Sequence, residues 1–435
     1  MAIAGTVEWE VRTTGNSTNG GGFNVDSAGI DYSQQDAAQL SINDCATASV
    51  GSTTLTSVTG GFTAAMVGNM INLSSGTNLT VGIYEITGYT NSNTITLDRA
   101  PDDGVGGVSG SVGKVGGALD WPPTSQSSQA NHVWIKSGTY TLTSSTTDAL
   151  YGPMSYTLRT IEGYETTRGD RGTKPVFNTG LITGVTVFFL NSDSTSNIIT
   201  NIEVDGVSGA NSNTGFNFYR QRCFGDSCLA KNCYNGFAGG GGSSKVYNCI
   251  AQDCSNYGFG SLNCSFCIAY SCGTGLSGYI NSFDHCLAYD CSTGFYSAYN
   301  DTYSKCIADN CSTYGIYLYN NYIPLSQIVL TNNAIGIYFR GTYIVAPSIY
   351  CYNNTTDASF TGTAAWQSNR QARIDTTSIT TSPYVDQANN DYTLNDDATG
   401  GQVVRDLFAN NAKDIENIFY PDPDKTSGKH PLSRL

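Results

Sequence analysis

The chain has 435 residues, of which 21 are Lys or Arg and 35 are Asp or Glu, a formal net charge of −14. That balance excludes a nucleic-acid partner, which would want a basic stripe, and no run approaches the roughly 18 continuous apolar residues that span a membrane. Charged residues are only 13% while Gly, Ser, Thr and Asn abound, as expected of stacked strands joined by tight turns.

Residues 1–8 carry neither a basic n-region nor a long apolar run, so no signal peptide is read there. In residues 6–12, Val7, Trp9 and Val11 alternate with polar residues, the pattern of a half-buried strand. A Gly- and Asn-rich loop, 14–23, follows. Strands are then expected at 53–58, 70–73, 83–87 and 94–97, separated by Gly60-Gly61, Ser75-Gly76 and Asn91-Ser-Asn93. Together they make a small β domain. Seven glycines in the fourteen residues 104–117 have the composition of a linker. The stretch from Gly107 to Lys114 is not a phosphate loop, because five residues separate Gly107 from Gly113 and Val115 stands where Ser or Thr would hold magnesium. Further short strands are read at 133–140, 161–164 and 174–177.

The centre of the chain, Cys228 to Asn354, repeats one phrase seven times. It reads Cys228-Leu-Ala-Lys-Asn-Cys233, Cys249-Ile-Ala-Gln-Asp-Cys254, Cys267-Ile-Ala-Tyr-Ser-Cys272, Cys286-Leu-Ala-Tyr-Asp-Cys291 and Cys306-Ile-Ala-Asp-Asn-Cys311. Two more copies, Ile328-Val-Leu-Thr-Asn-Asn333 and Ile349-Tyr-Cys-Tyr-Asn-Asn354, keep the shape without the paired sulfurs. Successive first positions lie 21, 18, 19, 20, 22 and 21 residues apart. A period near twenty, built from β-branched and aromatic segments punctuated by Gly, Asn and Asp, is one coil of a parallel β-helix.

This repeat resembles the right-handed parallel β-helix family, the pectin-lyase-like fold that also builds phage tailspikes; the resemblance covers roughly residues 130–360. The opening loop 14–23 is similar to the amino-terminal stretch of many phage and environmental β-helix proteins, and Val133-Trp-Ile-Lys-Ser-Gly-Thr-Tyr140 resembles an opening coil. The expected fold is therefore all-β: a small N-terminal β domain with a Gly-rich linker (1–118), a right-handed single-stranded parallel β-helix (119–365), and a C-terminal cap and possible trimerisation region (366–435). In the tail, apolar residues at 404, 407, 408, 415, 418 and 419 have helical spacing that stops before Pro421. An open β-helix end has unpaired edges that need cover.

Ten of the fourteen cysteines fall in the two repeat columns, each about 4.8 Å from its counterpart on the next coil. Buried free thiols are the expected state, as in a chain folded in a reducing cytosol. Axial disulfides are within geometric reach. Zinc is the third option, but Cys264-x-x-Cys267 has no second pair to complete it; no metal and no cofactor are expected.

Enzymes of the resembled fold act on polysaccharides through carboxylates on neighbouring coils. The candidates here are Asp253 and Asp290, two coils or about 9.6 Å apart, at the edge of an inverting pair. The competing reading is that Asn232, Asp253, Ser271, Asp290 and Asn310 are turn residues serving local backbone. Asp284-His285, if extended, point to opposite faces. Lyases of the fold use clustered Arg or Lys beside calcium; Lys231, Lys245, Lys305 and Arg340 show no such cluster. Arg168-Gly169-Asp170 is an integrin-type tripeptide read as incidental. A sharper pattern lies one step past each coil's glycine, where residues should point outward. On successive coils these are Ala238, Gly260, Ser277, Tyr296, Tyr317 and Tyr338. That tyrosine column is a glycan platform, a subunit interface, or ordinary strand surface.

The reading adopted is a phage virion structural protein, a tail spike, fibre or capsid-decoration subunit. It is synthesised in the host cytoplasm, homotrimeric, and contacts other virion proteins and a host-surface polysaccharide through Tyr296, Tyr317 and Tyr338. The alternatives are a polysaccharide lyase or glycoside hydrolase on the same scaffold and a bacterial surface adhesin.

Overall fold

The computed structural model describes residues 6–121, 132–142, 159–180, 182–190, 197–207, 212–219, 222–240, 244–279, 281–299, 301–319, 323–340, 344–345 and 349–360. Beyond these it describes 374–375, 379, 381, 384–386, 391–394, 397–399 and 402. Two compact units are present: Met1–Tyr140 with Asp148–Val176 and Ser194–Thr200, and Thr141–Thr147 with Phe177–Asp193 and Asn201–Leu435. Among the described residues no helix is long and apolar enough to cross a membrane. The helical pattern at 403–419 lies outside the described residues.

In the first unit Val7–Val11 pairs in parallel with His132–Lys136, which pairs with Arg159–Tyr164, which pairs with Asn197–Thr200. The opening strand is thus itself a rung of the parallel stack, with its Val7, Trp9 and Val11 side chains fully buried. Between the first two rungs sits a six-stranded antiparallel sheet in the order Leu40–Cys45, Ser109–Val115, Met70–Thr77, Gly82–Asn91, Thr94–Leu97, Thr54–Thr56. Its core is Leu55, Ile71, Leu73, Tyr84, Ile86, Ile95 and Val115.

The Gly-rich stretch corrects the linker reading. Residues Ser109–Val115 form a strand hydrogen-bonded on both sides, to Leu40–Cys45 and to Met70–Thr77. Glycine is used there for close approach: a Cβ on Gly113 would lie 2.9 Å from the Cys45 sulfur and 3.0 Å from Ile71. Composition alone cannot separate that use of glycine from chain flexibility.

The second unit is a right-handed parallel β-helix with three faces. Its first face stacks Cys223–Asp226, Lys245–Tyr247, Asn263–Ser265, Ser282–Asp284, Thr302–Ser304 and Ile323–Ser326. The second carries the repeat phrase from Glu203–Asp205 through Leu229–Lys231 to Ile349–Tyr352. A third runs from Thr186–Leu190 to Thr356–Phe360. Strict register stacks like on like. Phe188, Phe216, Phe237 and Phe259 form an interior ladder with centroids 4.8–5.4 Å apart. Ala230, Ala251, Ala269, Ala288 and Ala308 form a fully buried column beside it. Alanine is needed because the third-face glycines press inward: a Cβ on Gly275 would meet the Gly294 carbonyl oxygen at 2.6 Å and Ala288 Cβ at 2.9 Å.

Both corners flanking the second face are single left-handed residues. One column is Asn232, Asp253, Ser271, Asp290, Asn310, Asn332 and Asn353, with φ between 49° and 55°. The other is Asn248, Phe266, His285, Lys305 and Gln327, with φ between 51° and 54°. Asn and Asp tolerate this region by bonding locally; Phe266 and Lys305 have no such help and are held there by the stack.

All fourteen cysteines are buried free thiols. Those of the two repeat columns donate to carbonyls two residues back, as Cys249 does to Tyr247 at 3.1 Å and Cys272 to Tyr270 at 3.2 Å. Burial pushes the Cys233 thiol up to about 12 and Cys249 well above its ordinary value. The last coils continue the second column with Asn333, whose amide donates to the Ala308 carbonyl at 3.1 Å and to Asn354 at 3.0 Å. Reductant should therefore leave the melting temperature unchanged, and iodoacetamide should label no repeat cysteine in the native state. A drop of several degrees, or a mass short of the thiol hydrogens, would overturn this.

The outward aliphatic residues of the second face are covered. Ile268, Leu287, Ile307 and Val329 point away from the Ala column, as alternation requires, yet all are buried. They cluster with Ile379, itself 2% exposed. Ile379, from the same chain, thus covers part of these aliphatic columns.

Candidate functional site

The third face is unlike the other two. From Thr186–Leu190 to Ile335–Phe339 its eight strands contain no Asp, Glu, Lys or Arg. In a chain of net charge −14 these eight strands are free of charge, and Asp357 of the ninth, Thr356–Phe360, brings the face its first charged side chain. Its inward positions, Phe237, Phe259, Leu276, Phe295, Ile316 and Ile337, are fully buried. Outward positions are half-exposed and turn aromatic towards the last coils.

Tyr296 is in register with Tyr317, and Tyr317 with Tyr338. Their rings stack at 5.3 Å and 5.0 Å, with interplanar angles of 18° and 22°. Parallel register, not ring attraction, sets that spacing, since strand separation leaves each ring one rung from the next. Tyr314 packs against both Tyr317 and Tyr338 at 5.1 Å and 5.0 Å. At the strand ends Tyr319 lies 6.5 Å from Tyr317, and exposed Tyr279 and Tyr299 meet at 4.1 Å one edge further. Burial, followed by the neighbouring Tyr317, holds the Tyr296 phenol above its usual range, so that hydroxyl stays a neutral hydrogen-bonding group.

Arg340 closes the wall. Its guanidinium lies 4.5 Å from the centre of the Tyr319 ring and interacts first with the Tyr317 hydroxyl, then with Tyr319 and Tyr338, which raise its pKa. The column of three tyrosines was legible in sequence. Tyr314, Tyr319 and Arg340 were not, because they reach the wall from strand starts and ends at different offsets from the repeat glycine.

The carboxylate candidates sit elsewhere. Asp253 and Asp290 are exposed left-handed corner residues, which accounts for their column without catalysis. Asp290 accepts from Ser271 at 3.1 Å and Asn310 at 3.4 Å on adjacent coils. Asp253 accepts from Gln252 at 3.0 Å, and burial raises its pKa against that bond. The two aspartates are thus separated by Ser271 and belong to one axial ladder.

Asp284 and His285 overturn the opposite-faces expectation. Because His285 is left-handed (φ 51°), the chain bends there and its Nδ1 sits 2.9 Å from the Asp284 carboxylate. His285 stacks on Phe266 at 4.8 Å and is 5% exposed. Lys231 is taken up by Glu203 and Asp205, at 2.7 Å and 3.4 Å.

The Arg168-Gly-Asp tripeptide is consumed internally. Arg168 binds Glu10 and Asp31, each at 2.9 Å, and Ser33 at 2.9 Å. Asp170 accepts from the backbone of Glu165, Thr166 and Thr167 at 2.6–2.9 Å, which lowers its pKa despite the opposing cost of burial. Among the described residues no group of three or more His, Cys, Asp or Glu could hold a metal ion.

No family model and no curated protein matches the chain. Among solved structures it is similar to the Azotobacter vinelandii mannuronan C-5 epimerase AlgE4 A-module, at 11% identity and a TM-score of 0.34, over 51% of this chain and 72% of that one. It is also similar to the catalytic domain of a GH87 alpha-1,3-glucanase in complex with nigerose, at 10% identity and a TM-score of 0.31, over 78% of this chain and 99% of that one.

Proposed function

We propose that this chain is a glycan-attachment subunit of a virion, a β-helix whose third face docks a host-surface polysaccharide on Tyr296, Tyr317 and Tyr338. The observation that carries this is the wall itself: stacked tyrosines, flanked by Tyr314 and Tyr319, on strands that carry no carboxylate. Tyrosine offers a flat apolar surface for a pyranose ring and a hydroxyl for its polar edge. A wall of rings at regular spacing suits a repeating polymer better than a single small molecule. Placement in a virion, and assembly as a homotrimer, follow from the resemblance of the opening stretch and coils to phage β-helix proteins.

Binding of the full chain to an immobilised panel of neutral and acidic bacterial surface polysaccharides tests the reading. Tyr317→Ala should weaken the bound member by about 1–2 kcal/mol, the scale of one aromatic contact, while the melting temperature changes little because the side chain is outward. Binding to no member of the panel overturns the glycan reading. Should Tyr317→Ala instead split an oligomer with glycan affinity intact, the wall is a subunit interface. Release of reducing ends or unsaturated sugars from a bound polymer would make the protein an enzyme. Mass spectrometry of purified particles should find the chain there; its absence would remove the virion placement.

A further inference from the structure

The tyrosine wall has one cation at its rim, and that cation has no carboxylate to serve. Arg340 is exposed, follows directly on the strand Ile335–Phe339, and is anchored by its backbone to the Leu318 carbonyl at 2.8 Å. Among the described residues no carboxylate pairs with it. Lys231, by contrast, is bound to Glu203 and Asp205, and Arg12, Arg99 and Arg168 each pair with a carboxylate. With 35 acidic residues against 21 basic, an unpaired arginine at the end of eight strands without an acid stands out, and Asp357 on the next strand accepts from Asn354 at 3.1 Å.

We propose that Arg340 makes the wall selective for anionic sugar residues, those carrying a carboxylate or a sulfate ester, with the guanidinium held over Tyr319 reaching the acid group while the ring lies on Tyr317 and Tyr338. This rests on the reading of the wall as a glycan site. Packing over Tyr319 restricts the guanidinium of this exposed residue, and a guanidinium fork matches carboxylate and sulfate oxygens in pairs. The net negative charge of the chain does not forbid this, because exposed charges more than about 8 Å away are screened at physiological salt.

The test uses the full chain and the same immobilised panel, with its members sorted as neutral, uronate-bearing and sulfated. Binding should favour the acidic members by about tenfold or more, the scale of a charge-assisted hydrogen bond, and the preference should shrink as salt rises. Arg340→Gln should abolish the preference, and Arg340→Lys should restore part of it. Preference for uronates alone assigns the carboxylate as the recognised group, and preference for sulfated members alone assigns the sulfate. Equal binding of neutral and acidic members, or an acidic preference that survives Arg340→Gln, overturns the inference and leaves the tyrosine wall standing. Binding to no member removes both.

Discussion

Replacing Arg168 with alanine is expected to destabilise the first unit by about 3 kcal/mol, at the lower end of what breaking a buried ion pair costs. Glu10 is fully buried and shares its carboxylate among Arg168 at 2.9 Å, Arg12 at 2.8 Å and the Tyr164 hydroxyl. Removing Arg168 leaves Glu10 with Arg12 as its cation and takes the same guanidinium from Asp31 and Glu8, which keep only neutral donors, Ser33 and Gln34 on Asp31 and Trp134 on Glu8. Arg12 remains, which is why the cost stays at the low end. Arg168→Lys should recover only part of it, since a point charge cannot reach Glu10, Asp31 and Ser33 together. The urea midpoint followed by tryptophan fluorescence reports it, because Trp134 lies 6.0 Å from the guanidinium. A shift worth less than about 1 kcal/mol would place these charges in the class of exposed pairs and refute the network's structural role.

The second large effect belongs to the interior phenylalanine ladder. Phe237→Ala should cost about 3–5 kcal/mol, the range for emptying a buried aromatic site, since its ring stacks at 4.8 Å on both Phe216 and Phe259 and is wholly enclosed. Collapse cannot refill the space, because backbone hydrogen bonds hold the coils above and below at fixed separation. Phe237→Leu should cost under about 1.5 kcal/mol, as the same column already accepts Leu276 beside Phe259 and Ile316 beside Phe295. Comparing the two variants by urea unfolding separates cavity cost from loss of stacking. An equal penalty for both would mean that ring-on-ring contact, rather than filled volume, carries the ladder.

Much of the fold was legible before any coordinates because a β-helix writes its tertiary structure locally. Each coil meets only its neighbours, so the roughly twenty-residue period, the paired cysteine columns and the residue after each glycine map directly onto stacked interior positions. The Tyr296, Tyr317 and Tyr338 column follows from the same arithmetic. Readings failed where the sequence signal has two physical meanings. Glycine in 104–117 could mean a flexible chain or close packing, and only the approach of Cys45 and Ile71 to Gly113 decides for packing. The adjacency of Asp284 and His285 could mean opposite faces or a bend, and the left-handed φ of His285 decides for the bend. Phe266 and Lys305, at the same corner position, carry no turn signature at all.

By itself, then, the sequence determined the class of fold, the inward columns and the place of the tyrosines, since these depend on residue type at a fixed step along the chain. Tertiary structure alone decided the contacts between residues far apart in sequence or off the repeat. Arg168 meets Glu10 across 158 positions. Ile379 returns to cover Ile268, Leu287 and Ile307. Arg340 settles over Tyr319 from the end of a different strand. In each case the partner is chosen by where the folded backbone delivers a side chain, and no period or spacing encodes that.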